Sequence, residues 1–464
     1  MDSEPQEEPL APESIEPATP IERRNAAGWI LMIVLISLMM VGAMSAYLKP
    51  QDSKQKRYEA ESTAFESEMM QRSVLGTTSG KKNSGSLSEL DETVSKLAKD
   101  RFKQKEAAKL YAAIRHEQGY PLKPEDLALL ARSDKEEDRD YVRIYGFDSL
   151  SQVEAVQIER QLRNGEFVDT MAIVHAFEKA GLPDARPRLF AKRNWNVKFA
   201  ASIGIMLVAG LGLALWALYA IRRSQGFWKP LGHPLQFMSA LQADGNAMRV
   251  SLVLVAYSIL PIFIILPLKS LLVEDALTVL SLLLVFAGVL VVIRLRILGE
   301  ALNLKEIMGD LSMPGQKVLW GIGGAIANAP VAIVLGLIGL QLFKALPTPT
   351  HPAVEELMNS KSPFAVIVFF FTAVVMAPLI EEITFRGLML PSISRVAKSI
   401  PKGVLWSSLA FACIHPQGIA LWPALAGLGA VCSLLAYQTR SLLPSMVMHA
   451  VHNGALMVLT LLFM

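Results

Sequence analysis

Apolar runs about as long as a bilayer is thick constrain this chain more than any other feature. A hydrocarbon core of about 30 Å takes roughly 20 helical residues. Runs of about that length recur at 26–47, 199–221, 251–272, 276–295, 318–343, 363–386, 403–418, 420–437 and 442–463. Inside hydrocarbon every backbone polar group must be satisfied within its own segment, which makes the helix the natural form for such runs. The chain is 52% hydrophobic, with a mean hydropathy of +0.36. The expected fold is therefore all-α: a polytopic membrane bundle of about nine spans, with seven to eight helices in its C-terminal core.

Charge is distributed unevenly, most of it before residue 200. Residues 1–25 form a tail rich in Glu and Pro, the composition of a disordered segment. The first membrane helix, 26–47, contains Ala43-Met-Ser45, which has the form of a signal-peptidase site, but the run is long for a cleaved leader and reads as a signal anchor. Residues 48–197 are polar and near neutral, with a flexible Gly/Ser linker at 76–86. Helical patterns dominate after Leu87, and Pro124-Glu-Asp has the form of a helix start. A small helical extramembrane domain is expected between the first two spans. The second membrane helix is 198–222, and the membrane bundle occupies 250–464.

With the N-terminus in the cytoplasm, the short inside segments hold Arg23, Arg24, Arg222, Arg223, Lys229, Arg249, Arg294, Arg296, Lys305, Lys317, Arg395, Lys398, Lys402 and Arg440. The short outside loops then hold Lys269, Lys344 and Lys361. This asymmetry sets the orientation and puts 48–197 outside, across a plasma or inner membrane or, in a eukaryote, that of the endoplasmic reticulum. A net charge of +3 gives no argument for a nucleic-acid partner. Cys413 and Cys432 both sit in apolar segments, and no disulfide framework follows from them.

Ionisable groups within a bilayer are costly, and by default they mark function. Glu381, Glu382 and Arg386 fall at the end of the 363–386 run, His415 lies in the next, and His449, His452 and Asn453 lie in the last. Glu382 and Arg386 are four residues apart and share a helix face, so they can pair, either as a structural couple or as a snorkelling pair at the membrane edge. Glu381 is turned about 100° away and is free to face something else. Phe411 and His415 share a face, as do His449 and Asn453. Three helices can thus direct Glu381, His415, His449 and Asn453 into one cavity, a set able to bind Zn²⁺ or to activate a water directly. His452, one turn from His449, is the rival participant, and Asn328 reads as a helix-packing residue. His116 and His175 in the polar block, and His233 and His351 in loops, are expected to be solvated.

Other intramembrane proteases fail on their motifs. The chain's His-Glu, His116-Glu117-Gln-Gly-Tyr120, lacks the second His of a zinc-type His-Glu-x-x-His. No Gly-x-Ser-Gly lies in a span, and the spans carry no pair of Asp. What remains are Glu381-Glu382-Ile-Thr-Phe-Arg386, Phe411-Ala-Cys-Ile-His415 and His449-Ala-Val-His-Asn453. In order and spacing these resemble the three motifs of the CAAX protease and bacteriocin-processing enzyme (CPBP) family, also called the CAAX prenyl protease 2 or abortive-infection family. The resemblance covers roughly 310–464, which would be the peptidase core.

That resemblance implies an intramembrane endopeptidase acting on a membrane-tethered protein or peptide. Glu381 would be the general base, and His415 would orient water or bind a metal. His449 and Asn453 would stabilise the oxyanion or help ligate the metal, with Glu382 and Arg386 as supporting partners. A zinc ion, if used, would sit on His415 and His449. The rival readings are a non-catalytic membrane binding or immunity-type protein that keeps the polar core, and a transporter with Glu381 as proton carrier. A transporter would suggest an inverted repeat between halves, and none is visible.

Overall fold

The structure is a computed structural model, and it describes residues 20–45, 53–75, 105–163, 165–191, 194–227, 246–256, 274–294, 304–343, 363–415 and 418–463. These are mostly helical. No strand occurs among them, and an isolated antiparallel bridge joins Gly309 to Ser441. The chain divides into two compact units, one spanning Pro50–Met206 and one drawn from Met1–Lys49 and Leu207–Leu462.

The first unit contains the helices Ser53–Leu75, Lys105–Glu117, Pro124–Ala131, Glu136–Gly146, Gln152–Leu162, Phe167–Lys179 and Ala185–Ala191. Their starts follow from local chemistry. Asp126 accepts the Lys123 amide ahead of Pro124, and Ser151 and Glu154 form a reciprocal capping box. The core is closed by Leu110, Ile114, Tyr141, Ile144, Met171 and Val174, each fully buried. Tyr58 reaches Glu166 at 2.9 Å, which ties the Ser53–Leu75 helix to this core. The expectation that His175 is solvated is corrected. It has no exposed surface, accepts from the Tyr145 hydroxyl at Nδ1 and donates from Nε2 to Glu117, both at 2.8 Å. Its position on the inward face of Phe167–Lys179 buries it, and two polar neighbours make that burial tolerable. His233, His351 and the 76–86 linker lie outside the described residues.

Among the described residues, four helices are long and apolar enough to cross a membrane: Trp195–Ser224, Pro314–Leu342, Val366–Val396 and Leu443–Leu462. The helices Pro20–Ser45, Glu274–Arg294 and Trp422–Thr439 coincide with three more of the expected runs. Only 246–256 is described near the 251–272 run, so that span lies largely outside the described residues. The helix at the seventh run, Ile400–Cys413, has 14 residues and reaches only about 21 Å, too short to cross hydrocarbon unaided. Pro416 explains its end, because the residues before a proline are pushed away from helical geometry.

The sixth run departs furthest from expectation. It does not end at Arg386 but stays helical from Pro363 to Val396, so that Glu381, Glu382 and Arg386 lie mid-helix and buried. A π-helical turn at Thr372–Met376 precedes Pro378, and another at Ile383–Met389 precedes Pro391. Proline lacks the N–H that would continue the ladder and crowds the preceding turn, and a widened turn accommodates both defects without breaking the helix. This is why a stretch with two internal prolines and three charges still forms one helix.

Small residues let the bundle close. Gly212 of Trp195–Ser224 sits where a Cβ would fall 2.3 Å from the Ile326 carbonyl oxygen, so the two backbones approach directly. Trp216 donates to the Ala327 carbonyl on the same helix at 2.8 Å. Asn328, fully buried, meets His452 at 3.4 Å, which agrees with its reading as a packing residue and turns His452 toward that helix.

Candidate active site

The two adjacent carboxylates of the Pro363–Val396 helix are held differently. Glu382 Oε1 accepts from Arg386 Nη1 at 2.8 Å, one helical turn on, and both side chains are essentially unexposed. The pair is therefore a buried couple, not a snorkelling one. The Arg386 guanidinium also lies 4.6 Å from the centre of the Phe411 ring. Gly429 leaves room for it: a Cβ there would stand 3.1 Å from Arg386 Nη2 and 2.9 Å from Ser408 Cβ.

His449 lies between the two glutamates. Its Nδ1 is 3.0 Å from Glu382 Oε1 and its Nε2 is 3.7 Å from Glu381 Oε2. Glu382 thus serves two partners, where the helical-wheel reading gave it Arg386 alone. A wheel shows the faces of one helix, and it cannot show that an imidazole with nitrogens on opposite sides bridges two of them.

His415 follows the last turn of Ile400–Cys413, and its Nδ1 donates to the Phe411 carbonyl at 2.6 Å. Its ring packs on Phe411 at 4.5 Å, and Phe411 also meets His449 at 5.6 Å and Phe385 at 5.4 Å. Phe411 is fully buried and forms the floor on which both imidazoles stand. The His415 Nε2 is 3.9 Å from Glu381 Oε2. Of the three, His415 is the most exposed at 15%, against 8% for Glu381 and 3% for His449, so the site opens on the His415 side.

Protonation follows from these partners. The Phe411 carbonyl and the Glu382 carboxylate accept, so both rings carry their proton on Nδ1. In the neutral rings both Nε2 atoms present lone pairs toward Glu381 Oε2, which is itself buried without a hydrogen-bond partner. The two imidazole nitrogens flank Glu381 Oε2 at separations longer than a direct hydrogen bond. Such an arrangement suits a species that brings protons or positive charge. The set of one carboxylate and two imidazoles also matches the ligand types of zinc.

Asn453 is placed differently from its neighbours. Its Nδ2 donates to the Ala373 carbonyl at 2.8 Å, in the first π turn. The Ala377 amide bonds Thr372, and residue 378 is a proline, so the ladder supplies no donor for that carbonyl. Asn453 supplies one, which joins the Leu443–Phe463 helix to the Pro363–Val396 helix.

Among the described residues, the His, Cys, Asp and Glu trio whose donor atoms all lie within 4.8 Å of one another is His116, His175 and Glu178, in the other unit. Its donors are already engaged: His175 by Tyr145 and Glu117, and Glu178 by Arg186 at Nε and Nη2.

Residues 363–455 match the family model described as "Type II CAAX prenyl endopeptidase Rce1-like". A protein of Escherichia coli described as an uncharacterized 24.3 kDa protein is 37% identical over 112 residues, 24% of this chain and 48% of the relative. The chain thus spans about half the length of that curated relative. No solved structure matches. The matched segment contains Glu381, Glu382, Arg386, His415, His449 and Asn453. Residues 363–455 of this integral membrane protein are thus similar to the Rce1-like type II CAAX prenyl endopeptidases.

Proposed function

We propose that this protein is an intramembrane endopeptidase that hydrolyses a peptide bond of a membrane-tethered protein or peptide with a water activated by Glu381. The observation that carries this reading is the position of Glu381 Oε2 between two imidazoles, 3.9 Å from His415 Nε2 and 3.7 Å from His449 Nε2.

A water at that point can donate one proton to Glu381 and the other to an imidazole, leaving a lone pair free for a carbonyl carbon. His415, pinned by the Phe411 carbonyl at the open side of the site, orients the water. Attack moves the water proton to Glu381 and creates an oxyanion. Proton transfer to His449 Nε2, 3.7 Å from Glu381, makes that ring a cation held between two carboxylates and a donor to the oxyanion. Asn453 has a second amide proton for the same oxyanion, its first being used on Ala373. Collapse returns a proton to the leaving amine, so acid and base balance across the cycle. Should zinc be used, Glu381, His415 and His449 would hold it, and it would supply a Lewis acid for the scissile carbonyl.

Comparing membrane proteomes of cells carrying wild type, Glu381→Gln or His415→Ala tests the reading. A membrane peptide or precursor should accumulate in both variants. If none changes while both variants reach the membrane folded, the peptidase assignment falls.

A further inference from the structure

On the far side of the Trp422–Thr439 helix from the catalytic cluster lies a cavity of about 410 Å³. Its walls come from three helices, Trp195–Ser224, Pro314–Leu342 and Trp422–Thr439, and the first two of these lie outside the family-matched segment. Leu215, Leu218, Leu434 and Leu435 make the walls apolar. Gly323 opens on it, since a side chain added there would meet nothing within 4 Å. Trp195–Ser224 and Pro314–Leu342 are long enough to cross a bilayer, so the neighbours of such a cavity are lipid chains.

One end of the cavity is polar and cationic. Arg222 lines it together with Trp320, Gln438 and Thr439. Gln438 hydrogen-bonds the Tyr219 hydroxyl at 3.2 Å, which sets the C-terminal ends of the two helices side by side. Arg223 and Arg440 stand at those same two ends. The rim is prebuilt. Gly226, at φ 80°, closes a helix-terminating turn in which the Phe227 amide bonds the Arg222 carbonyl and the Gly226 amide bonds that of Arg223. This folds Phe227 back so that Arg222 lies over its ring at 4.8 Å. Among the described residues Arg222 has no carboxylate partner. An apolar slot beneath an aromatic and arginine rim complements a molecule with a long hydrocarbon chain and a negative headgroup.

We propose that this cavity binds one acyl chain of an anionic phospholipid, with the headgroup phosphate on Arg222. The size falls within the range of small-molecule sites. The occupant differs from the substrate, because the Trp422–Thr439 helix stands between the cavity and Glu381. Cys432 of that helix faces the Ser445 carbonyl, on the side of His449 and away from the cavity.

The test uses the full-length protein in a neutral detergent, with phosphatidylglycerol or phosphatidylcholine of identical chains as probes. Native mass spectrometry should show one phosphatidylglycerol retained at least fivefold more strongly than phosphatidylcholine. Gly323→Phe should fill the slot and reduce that retention at least fivefold. Arg222→Gln should abolish the preference between the two lipids, and Arg222→Lys should keep most of it. Should Gly323→Phe fail to fold, wild type and Trp320→Phe suffice. Chain-brominated phosphatidylglycerol at one lipid per protein should quench wild-type tryptophan emission more than brominated phosphatidylcholine, and the difference should shrink in Trp320→Phe. Equal retention or equal quenching of the two lipids by wild type would overturn the proposal, as would undiminished retention by folded Gly323→Phe.

Discussion

Glu382 and His449 are joined by a 3.0 Å contact between Oε1 and Nδ1, across 67 positions of sequence. The same Oε1 holds Arg386 at 2.8 Å. One carboxylate oxygen thus fixes the tautomer of an imidazole and neutralises a buried guanidinium.

Removing Glu382 should therefore damage stability and chemistry together. Glu382→Ala leaves Arg386 buried and uncompensated, which costs roughly 3–5 kcal/mol. Glu382→Gln keeps an acceptor for His449 but loses the charge. It should lower kcat while leaving KM nearly unchanged, because His449 is then a weaker base when it must take the proton. Thermal unfolding in detergent separates the two substitutions. A Glu382→Ala protein as stable as wild type would contradict the buried-pair account.

Asn453 bonds the carbonyl that Pro378 leaves without a donor. Asn453→Ala should cost about 1 kcal/mol, the penalty of leaving a part-buried acceptor unsatisfied. Pro378→Ala restores a backbone N–H near that carbonyl. The double variant Pro378→Ala/Asn453→Ala should then lose less than the two single losses added together. Strict additivity of the two would show that the carbonyl is not what Asn453 serves.

Gly429 is where Trp422–Thr439 yields space to Arg386. Gly429→Ala should destabilise by about 1–3 kcal/mol through overpacking, even though alanine favours a helix. Urea or thermal midpoints that rise instead would mean the neighbouring Ser408 and Arg386 give way freely.

Direct activation of water by Glu381 requires no ion. Cleavage of a membrane-embedded peptide by the purified protein should persist after dialysis against a zinc chelator, and Glu381→Gln should lower it by about 10²–10⁴-fold. Activity lost to the chelator and restored by zinc would assign the ion to Glu381, His415 and His449.

The Pro50–Met206 unit should weaken in acid. Burial, and then the neighbouring His175, push the His116 imidazole down to about 3. Burial raises the Glu117 carboxyl, but the His175 and Arg186 hydrogen bonds and charges outweigh it and hold the group well below its ordinary range. Both folded values lie below the unfolded ones, so the unfolded chain binds more protons in the window between them. For His116 the stability is fully present above its unfolded value near 6.5 and is lost as pH falls toward about 3. Glu117 adds a further loss below its unfolded range. Amide exchange over 105–191 in the intact protein should quicken through that window, and His116→Phe should flatten its upper part. Exchange independent of pH after correction for intrinsic rates would refute this.

The sequence by itself determined what is local. The apolar runs specified membrane helices. Four-residue spacings paired Glu382 with Arg386 and set Phe411 beneath His415, because neighbours one turn apart on a helix meet whatever surrounds it. Tertiary structure decided everything that depends on how one helix is rotated and set in depth against another. It placed His449 between Glu381 and Glu382, sent Asn453 to the Ala373 carbonyl and turned His452 toward Asn328. It also carried the glutamate helix past Arg386 to Val396, beyond the end of the 363–386 apolar run. The π turns explain that last difference. They are backbone adjustments to Pro378 and Pro391, and their cost is tolerable only inside a packed bundle. No periodicity in the residues themselves announces them.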